Sequence, residues 1–268
     1  MIHSQFIEHA LIDSSKIASK NFNDVSSVVI KLGDNNQVLT ETDIAVGKYI
    51  VSEVQKIYPT HNIIDEETGI IDKKSDYTWV IDPIDGTSNF VVSSPQYGIM
   101  IGLLYQNKPI AGGMALPYYS EIITAEKNCG AFYNDNKLEV TKEPDLLSSL
   151  VAYGMDGHQE KPTLTYDELN ILARIVLNVR NIRAAGSLFD SAMVAKGKYG
   201  AYLNRTSKIW DVVGLHIIIE EAGGVVTDFF GKPMDYSYPL TKIDTNYTFC
   251  IGAPLLHKQL QEIIHSTQ

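Results

Sequence analysis

Asp82-Pro83-Ile84-Asp85-Gly86-Thr87-Ser88-Asn89-Phe90 places two carboxylates three positions apart and leads directly into a Gly-Thr-Ser turn. Residues 77–81, Tyr-Thr-Trp-Val-Ile, read as a short apolar strand ending at Asp82. Both acids then fall at the carboxyl end of a strand, where α/β proteins gather their chemistry. Pro83 stiffens the turn and removes one amide donor. Between the acids, the carbonyl of Ile84 is the only further hard oxygen, and hard oxygen sets are what Mg²⁺ selects. After them, Gly86, Thr87 and Ser88 open a helix whose free N–H groups face a phosphate. The stretch reads as a cation site built beside an anion site. A strand, an Asp-Pro turn and an Asp-capped helix would give the same pattern with no ligand at all.

A second acid-led segment weighs against that plainer reading. Residues 210–224, Trp-Asp-Val-Val-Gly-Leu-His-Ile-Ile-Ile-Glu-Glu-Ala-Gly-Gly, begin a helix that is apolar on nearly every face and hence buried. Its first turn carries Asp211 into the interior. An unpaired buried carboxylate costs several kcal/mol, so Asp211 either caps its own helix or meets a cation.

Working outward, residues 1–22 place Phe6, Ile7, Ala10, Leu11, Ile17 and Ala18 at helical spacing rather than in the unbroken apolar run of a signal peptide. Thr40-Glu41-Thr42-Asp43 precedes Ile44, Val46, Tyr49, Ile50, Val54 and Ile57, a one-sided helix ended by Pro59. Residues 63–67, Ile-Ile-Asp-Glu-Glu, are a short strand running into three acids, a pattern that solvated turns also show. Strands over 97–105, 109–117 and 121–133 make the middle an antiparallel sheet. Beyond it, helices over 164–179, 187–196, 210–222 and 254–265 alternate with strands over 182–185, 200–203, 225–229 and 247–251. The seam between a sheet-rich part and an α/β part falls at 139–146, giving lobes 1–140 and 141–268 of one catalytic unit spanning 1–268. Gly112-Gly113 and Gly223-Gly224 lack the strand–glycine–helix context of dinucleotide binding and read as a bulge and a helix stop.

The 268 residues carry 32 acidic against 22 basic side chains, a net charge of −10 that argues against nucleic acid or an anionic membrane as partner. With 44% apolar residues the chain can build a large core. Two cysteines, Cys129 and Cys250, suggest neither a disulfide framework nor a zinc cluster, as expected of a cytoplasmic protein. No stretch approaches the length of a membrane span. The seven His are scattered; His216, inside the apolar helix, reads as a satisfied core residue rather than a ligand. No Ser or Cys sits in a recognisable nucleophile elbow.

Five separated segments together carry a resemblance. Residues 40–43, 65–67, 82–90, 186–187 and 210–224 occur in the order and at about the spacing of the inositol monophosphatase family, the metal-dependent, lithium-sensitive phosphatases related to fructose-1,6-bisphosphatases. The resemblance implies an α+β fold, a layered αβαβα sandwich, commonly homodimeric. It implies that Glu66, Asp82 and the Ile84 carbonyl hold one Mg²⁺, that Asp82, Asp85 and Asp211 share a second, and that a weaker third ion binds near Glu66. Glu67 competes with Glu66 on pattern alone; the family favours Glu66. Thr87 and Glu66 would orient a metal-bound water, with Asp43 accepting a hydrogen bond from Thr87, and phosphate would lie on the amides of Gly86, Thr87 and Ser88. Gly186, Ser187 and Asn204 would line the substrate.

Several positions depart from the family pattern. Asn204 stands where inositol-specific members carry a Glu that binds ring hydroxyls, with Arg205 and Lys208 close behind. Leu188, Val213 and Val92 replace smaller or polar residues, so the pocket is expected to be reshaped. The default substrate is inositol monophosphate. The basic pair raises an alternative in which the substrate carries a second phosphate, as in NADP, adenosine 3′,5′-bisphosphate or fructose-1,6-bisphosphate; equally, Arg205 and Lys208 read as solvated. A metal- or phosphometabolite-binding regulator that kept the fold, and a structural dimer whose acids are only caps, are the non-catalytic alternatives.

Overall fold

The computed structural model describes residues 3–23, 28–30 and 38–266. The helices are α1 (His3–Asn21), α2 (Glu41–Ile57), α3 (Thr87–Val91), α4 (Pro162–Val176), α5 (Leu188–Ala195), α6 (Ile209–Glu221) and α7 (Pro254–His265). A short hairpin joins β1 (Val28–Ile30) to β2 (Val38–Thr40). The large sheet contains β3 (Asn62–Asp65), β4 (Gly69–Ile71), β5 (Tyr77–Asp85), β6 (Gly98–Tyr105), β7 (Lys108–Leu116), β8 (Glu121–Glu126), β9 (Gly130–Tyr133) and β10 (Asn136–Lys137), in the order β10-β9-β8-β7-β6-β5-β3-β4. The second contains β11 (Leu150–Gly154), β12 (Asn181–Arg183), β13 (Ala201–Ser207), β14 (Val225–Thr227) and β15 (Tyr247–Gly252), in the order β12-β11-β13-β15-β14. β3 runs parallel to β5, and β11 parallel to β12 and β13; the remaining neighbours are antiparallel.

Helices and sheets stack in alternation. α1 and α2 cover one face of the large sheet, α5 and α6 lie between the two sheets, and α4 and α7 pack together beyond the second. This is the αβαβα sandwich that the family resemblance implies, and periodicity explains each layer. α1 turns Phe6, Ile7, Ala10, Leu11 and Ala18 inward, one helix face; Met1 and Ile2 lie outside the described residues. α2 begins in a reciprocal cap, the Thr40 side chain accepting from the Asp43 amide while the Asp43 carboxylate accepts from the Thr40 amide. α6 buries Ile209, Val212, Val213, Leu215, Ile217, Ile218 and Ile219 because it meets a sheet on either side.

Glycine decides how closely α6 approaches. A Cβ at Gly102 of β6 would lie 2.6 Å from Val213 Cγ1 and 2.7 Å from the Gly214 nitrogen, and one at Gly112 of β7 2.7 Å from the Gly214 oxygen. One at Gly214 would lie 2.6 Å from Met100 Cγ. Helix and sheet therefore meet nearly backbone to backbone. Gly113 faces the other way, against Ile7 and Leu11 of α1. Gly112-Gly113 is thus not the bulge expected: the register shift between β6 and β7 falls at Leu103/Leu104, and the two glycines admit helices on opposite faces. Gly223, with φ +83°, does end α6.

Three boundaries also differ. The expected strand over 121–133 is two, β8 and β9, broken at Asn128 (φ 64°), where Glu221 accepts the amides of Asn128 and Gly130 at 2.8 and 2.7 Å. β5 runs on through Asp85, with a register irregularity between Asp82 and Asp85, so both acids sit on the strand's last turn of pleat instead of beyond it. β13 extends to Ser207, four residues past the hydrophobic run. Among the described residues no helix is long and apolar enough to cross a membrane.

Gly102→Val, which fills the contact with α6, is expected to destabilise the fold by about 1–3 kcal/mol, read as a lower denaturation midpoint. Gly157→Ala, at a position where a Cβ meets nothing within 4 Å, should leave the midpoint unchanged.

Candidate active site

β5 and α6 bring three of the expected carboxylates together. Asp82 is buried at the end of β5, Asp85 stands past the irregularity, and Asp211 enters from the first turn of α6; one oxygen of each lies within 4.8 Å of the other two. Backbone amides fix two of them. The Leu188 amide donates to Asp85 Oδ1 at 2.7 Å, and the Lys208 amide to Asp211 Oδ2 at 2.6 Å. Asp211 therefore caps its own helix, the first of the two alternatives open from the sequence, and at the same time joins the acid cluster.

The cluster is electrostatically incomplete. Burial, then repulsion from Glu66, Asp85 and Asp211, raises Asp82 well above the usual carboxylate range. Burial pushes Asp85 up to about 7, and burial with the neighbouring Asp85 charge pushes Asp211 up to about 7. Three carboxylates this close do not all ionise without a counter-charge. Asp82 Oδ1 is buried with no hydrogen-bond partner. Carboxylate and carbonyl oxygens with neither His nor Cys among them form the donor set of a hard divalent cation, and a cation here would satisfy that orphaned oxygen.

The acids at 65–67 divide their roles. Asp65 is buried, its Oδ1 accepting the Thr68 amide and hydroxyl, each at 2.6 Å, so the cluster is not a solvated turn. Glu66 lines the same cavity as the three aspartates, whereas Glu67 does not; Glu67 lies near enough to Asp43 and Asp65 to raise both. Glu66 lies outside the tight triad of oxygens, yet close enough for its charge to be felt by Asp82.

Thr87 and Asp43 meet as the resemblance implied. Thr87 Oγ1 lies 3.2 Å from Asp43 Oδ1 and donates within 2.9 Å to the Ile84 carbonyl. Asp43 is fully buried; its other oxygen accepts the Thr40 amide at 2.9 Å and the Thr40 hydroxyl, and burial pushes its carboxyl up to about 6. Gly86, at φ +83°, is required by the turn, because a Cβ there would lie 2.8 Å from Ser187 Cβ. α3 begins at Thr87 but is only five residues long, so the amides of 86–88 belong to a turn more than to a helix end.

Gly186 and Ser187 lie on the opposite wall, held by residues to which sequence reasoning gave no role. Ser187 Oγ and Asn89 Nδ2 both donate to the Gln96 carbonyl, each at 2.8 Å, and Asn89 Nδ2 also reaches the Ala185 carbonyl at 2.8 Å. The buried Asp190 accepts the amides of Ala185 and Gly186 at 3.0 and 3.2 Å. Ser187-x-x-Asp190 is a helix-start spacing, a signal that was present; Gln96 contributes only its backbone and carried none. Asp156, Tyr202 and Trp210 also line the cavity of about 380 Å³.

The departures from the family pattern fall unevenly. Asn204 lines the cavity, its Oδ1 accepting the Thr206 amide at 2.8 Å. Leu188 lines it too. Val213 and Val92 do not: Val213 packs against Gly102, and Val92 is 72% exposed, so neither reshapes the pocket. Arg205 is off the wall, its guanidinium stacked 5.3 and 5.6 Å from the rings of Phe229 and Phe230. Lys208 is on the wall, with Nζ 3.1 Å from the Asp244 carbonyl. His216 lies away from the site, bonded to Tyr236 Oη at 2.8 Å and paired with Glu220 at 3.1 Å.

Known proteins resemble this chain in sequence and fold. The sequence model of the inositol monophosphatase family matches residues 4–267. A fructose-1,6-bisphosphatase/inositol-1-monophosphatase of Aquifex aeolicus is 29% identical over 85% of this chain and 86% of its own length. Inositol monophosphatase 1 of Bos taurus is 34% identical over 74% of this chain and 73% of its own. The crystal structure of the extragenic suppressor protein SuhB from Bartonella henselae superposes with a TM-score of 0.87 at 26% identity, covering 98% of each chain. The chain thus belongs to the inositol monophosphatase family and is a phosphoric monoester hydrolase.

Proposed function

We propose that the chain hydrolyses a small phosphate monoester, by default inositol monophosphate, with Mg²⁺ held by Asp82, Asp85, Asp211, Glu66 and the Ile84 carbonyl. The observation that carries the reading is the convergence of three carboxylates on one cavity that Glu66 and Thr87 also line, with the buried Asp43 behind Thr87. When bound, Mg²⁺ would offset the charge of the phosphoryl oxygens and make a bound water acidic. The chain's own groups set the geometry. Thr87 Oγ1 spends its proton on Ile84 or Asp43 and so turns a lone pair toward the cavity, where it accepts a hydrogen bond from water. Asp43, anchored by Thr40, keeps that hydroxyl from rotating away. Amides of Gly86, Thr87 and Ser88 border the phosphate position, and the wall formed by Gly186, Ser187 and Asn204 faces the alcohol part.

The bisphosphate alternative draws support from the Aquifex relative's name, but Arg205, one of the two residues that motivated it, stacks on phenylalanines away from the cavity. The metal-binding regulator accounts for the acid cluster and leaves the Thr87–Asp43 contact without a purpose. A homodimer belongs to the same proposal and is checked by sedimentation.

Asp85→Asn keeps an oxygen for the Leu188 amide while removing a ligand charge; it should lower turnover of inositol 1-phosphate by at least about 10³-fold with the melting temperature unchanged or raised. Unaltered turnover would refute the metal assignment. Thr87→Ala should cut kcat by about 10²-fold while Mg²⁺ affinity, measured by calorimetry, is retained. The raised carboxyls set a pH dependence. In the metal-free protein the folded state holds more protons than the unfolded chain between about 4 and about 7, so this cluster's contribution to stability falls as pH rises through that window. Mg²⁺ competes with those protons, and the melting-temperature gain it gives should be larger at pH 8 than at pH 5.

A further inference from the structure

Of the three clustered aspartates, Asp85 is held from across the cavity. The amide that holds it is that of Leu188, the first residue of α5, which donates to Asp85 Oδ1 at 2.7 Å. Leu188 stands 103 positions further along the chain than Asp85, so the orientation of this carboxylate depends on where the start of α5 is placed. The chain enters α5 through Gly186, at φ +67°, a left-handed bend that glycine adopts readily and leaves as readily. Such a bend holds one shape only when something braces it.

Asp190 is the brace. It lies in the first turn of α5, is fully buried and does not line the cavity. Its Oδ2 accepts the amides of Ala185 and Gly186 at 3.0 and 3.2 Å. From the other side, Asn89 Nδ2 donates to the Ala185 carbonyl at 2.8 Å, and Ser187 Oγ accepts the Phe189 amide at 3.2 Å while donating to the Gln96 carbonyl. The segment 185–189 is thus tied on both sides, and the Leu188 amide projects from it. Oδ1 of Asp190, by contrast, has no hydrogen-bond partner, and burial pushes the carboxyl up to about 6. A buried carboxylate with one oxygen unsatisfied costs stability. An apolar side chain at 190 would avoid that cost but could not accept two amides.

We propose that Asp190 is a positioning residue for the metal site: by holding the amides of Ala185 and Gly186 it sets the Leu188 N–H against Asp85 Oδ1 and so aims the Asp85 carboxylate at the cation. This rests on the metal-dependent phosphatase reading above and adds to it a residue from behind the cavity wall. Hydrogen bonds that orient a ligating carboxylate govern metal affinity without touching the ion. Because the brace acts through backbone amides, what position 190 needs is an acceptor oxygen within reach of both, not the negative charge.

Calorimetric Mg²⁺ binding, at temperatures well below each melting midpoint, compares the wild type with Asp190→Asn, Asp190→Thr and Asp190→Ala. Asp190→Asn, which keeps an oxygen at the same reach, should bind Mg²⁺ within about threefold of the wild type, whereas Asp190→Thr, with its oxygen on a shorter stem, and Asp190→Ala, with none, should raise Kd about tenfold or more. Hydrogen exchange at the Leu188 amide of the metal-free protein should stay slow in the wild type and Asp190→Asn and become fast in the other two. A lower melting temperature with Mg²⁺ affinity and Leu188 exchange unchanged would make Asp190 a structural cap and overturn the proposal. So would a loss of affinity in Asp190→Asn as large as in Asp190→Ala, or failure of both Asp190→Thr and Asp190→Ala to fold. Wild-type turnover of inositol 1-phosphate tests the phosphatase reading separately: Mg²⁺ binding without turnover sinks that reading and leaves the role of Asp190 standing, and a wild type that binds no Mg²⁺ sinks both.

Discussion

The near-contact of α6 with β6 and β7 is the constraint on which the site depends. Asp211 reaches Asp82 and Asp85 only because Gly102, Gly112 and Gly214 leave no side chain between helix and sheet. A buried helix that is apolar all round has no solvent face to orient it, so shape must do so. Here the backbone groove over the glycines fixes both its depth and its rotation, and the first turn is thereby aimed at the end of β5. Val213, bulkier than the small residue usual at its position in the resemblance, is accommodated by the emptiness of Gly102 opposite it.

Packing energy from this close fit holds together charges that repel. The acids are kept in place by the Leu188 and Lys208 amides and by a large apolar core around them, rather than by cationic side chains. A site of this kind is preorganised: folding arranges the oxygens and bears the strain of arranging them.

Much of this was legible because it depends on local pattern. Alternation and helical periodicity located the helices and most strands, and α7 was bounded to the residue. The nine residues 82–90 announced a site, and the all-apolar helix behind Asp211 announced its burial. What escaped was long-range. Whether Gly112 and Gly113 were a bulge or a landing for helices depended on what packed across the sheet, since either role asks for the same residue. Val213 looked like a pocket residue because it replaces a small residue of the family pattern, but helical geometry turns it toward Gly102 of the sheet. Arg205 looked available for phosphate until Phe229 and Phe230, far along the chain, drew it away. Asp156 had no motif around it, and only the parallel register of β11 and β13 carries it to the cavity. Gln96 acts through its carbonyl, which no side-chain pattern reports.

That carbonyl of Gln96 has a mechanical consequence. It receives one hydrogen bond from Asn89, beside the phosphate turn, and another from Ser187, on the opposing wall. The two halves of the pocket are thus buckled to one atom, and neither can swing without loosening the other's fastening. Under the function proposed above, a pocket so clasped offers the phosphate a seat of fixed width, and variety among alcohols is accommodated at the open end beyond it.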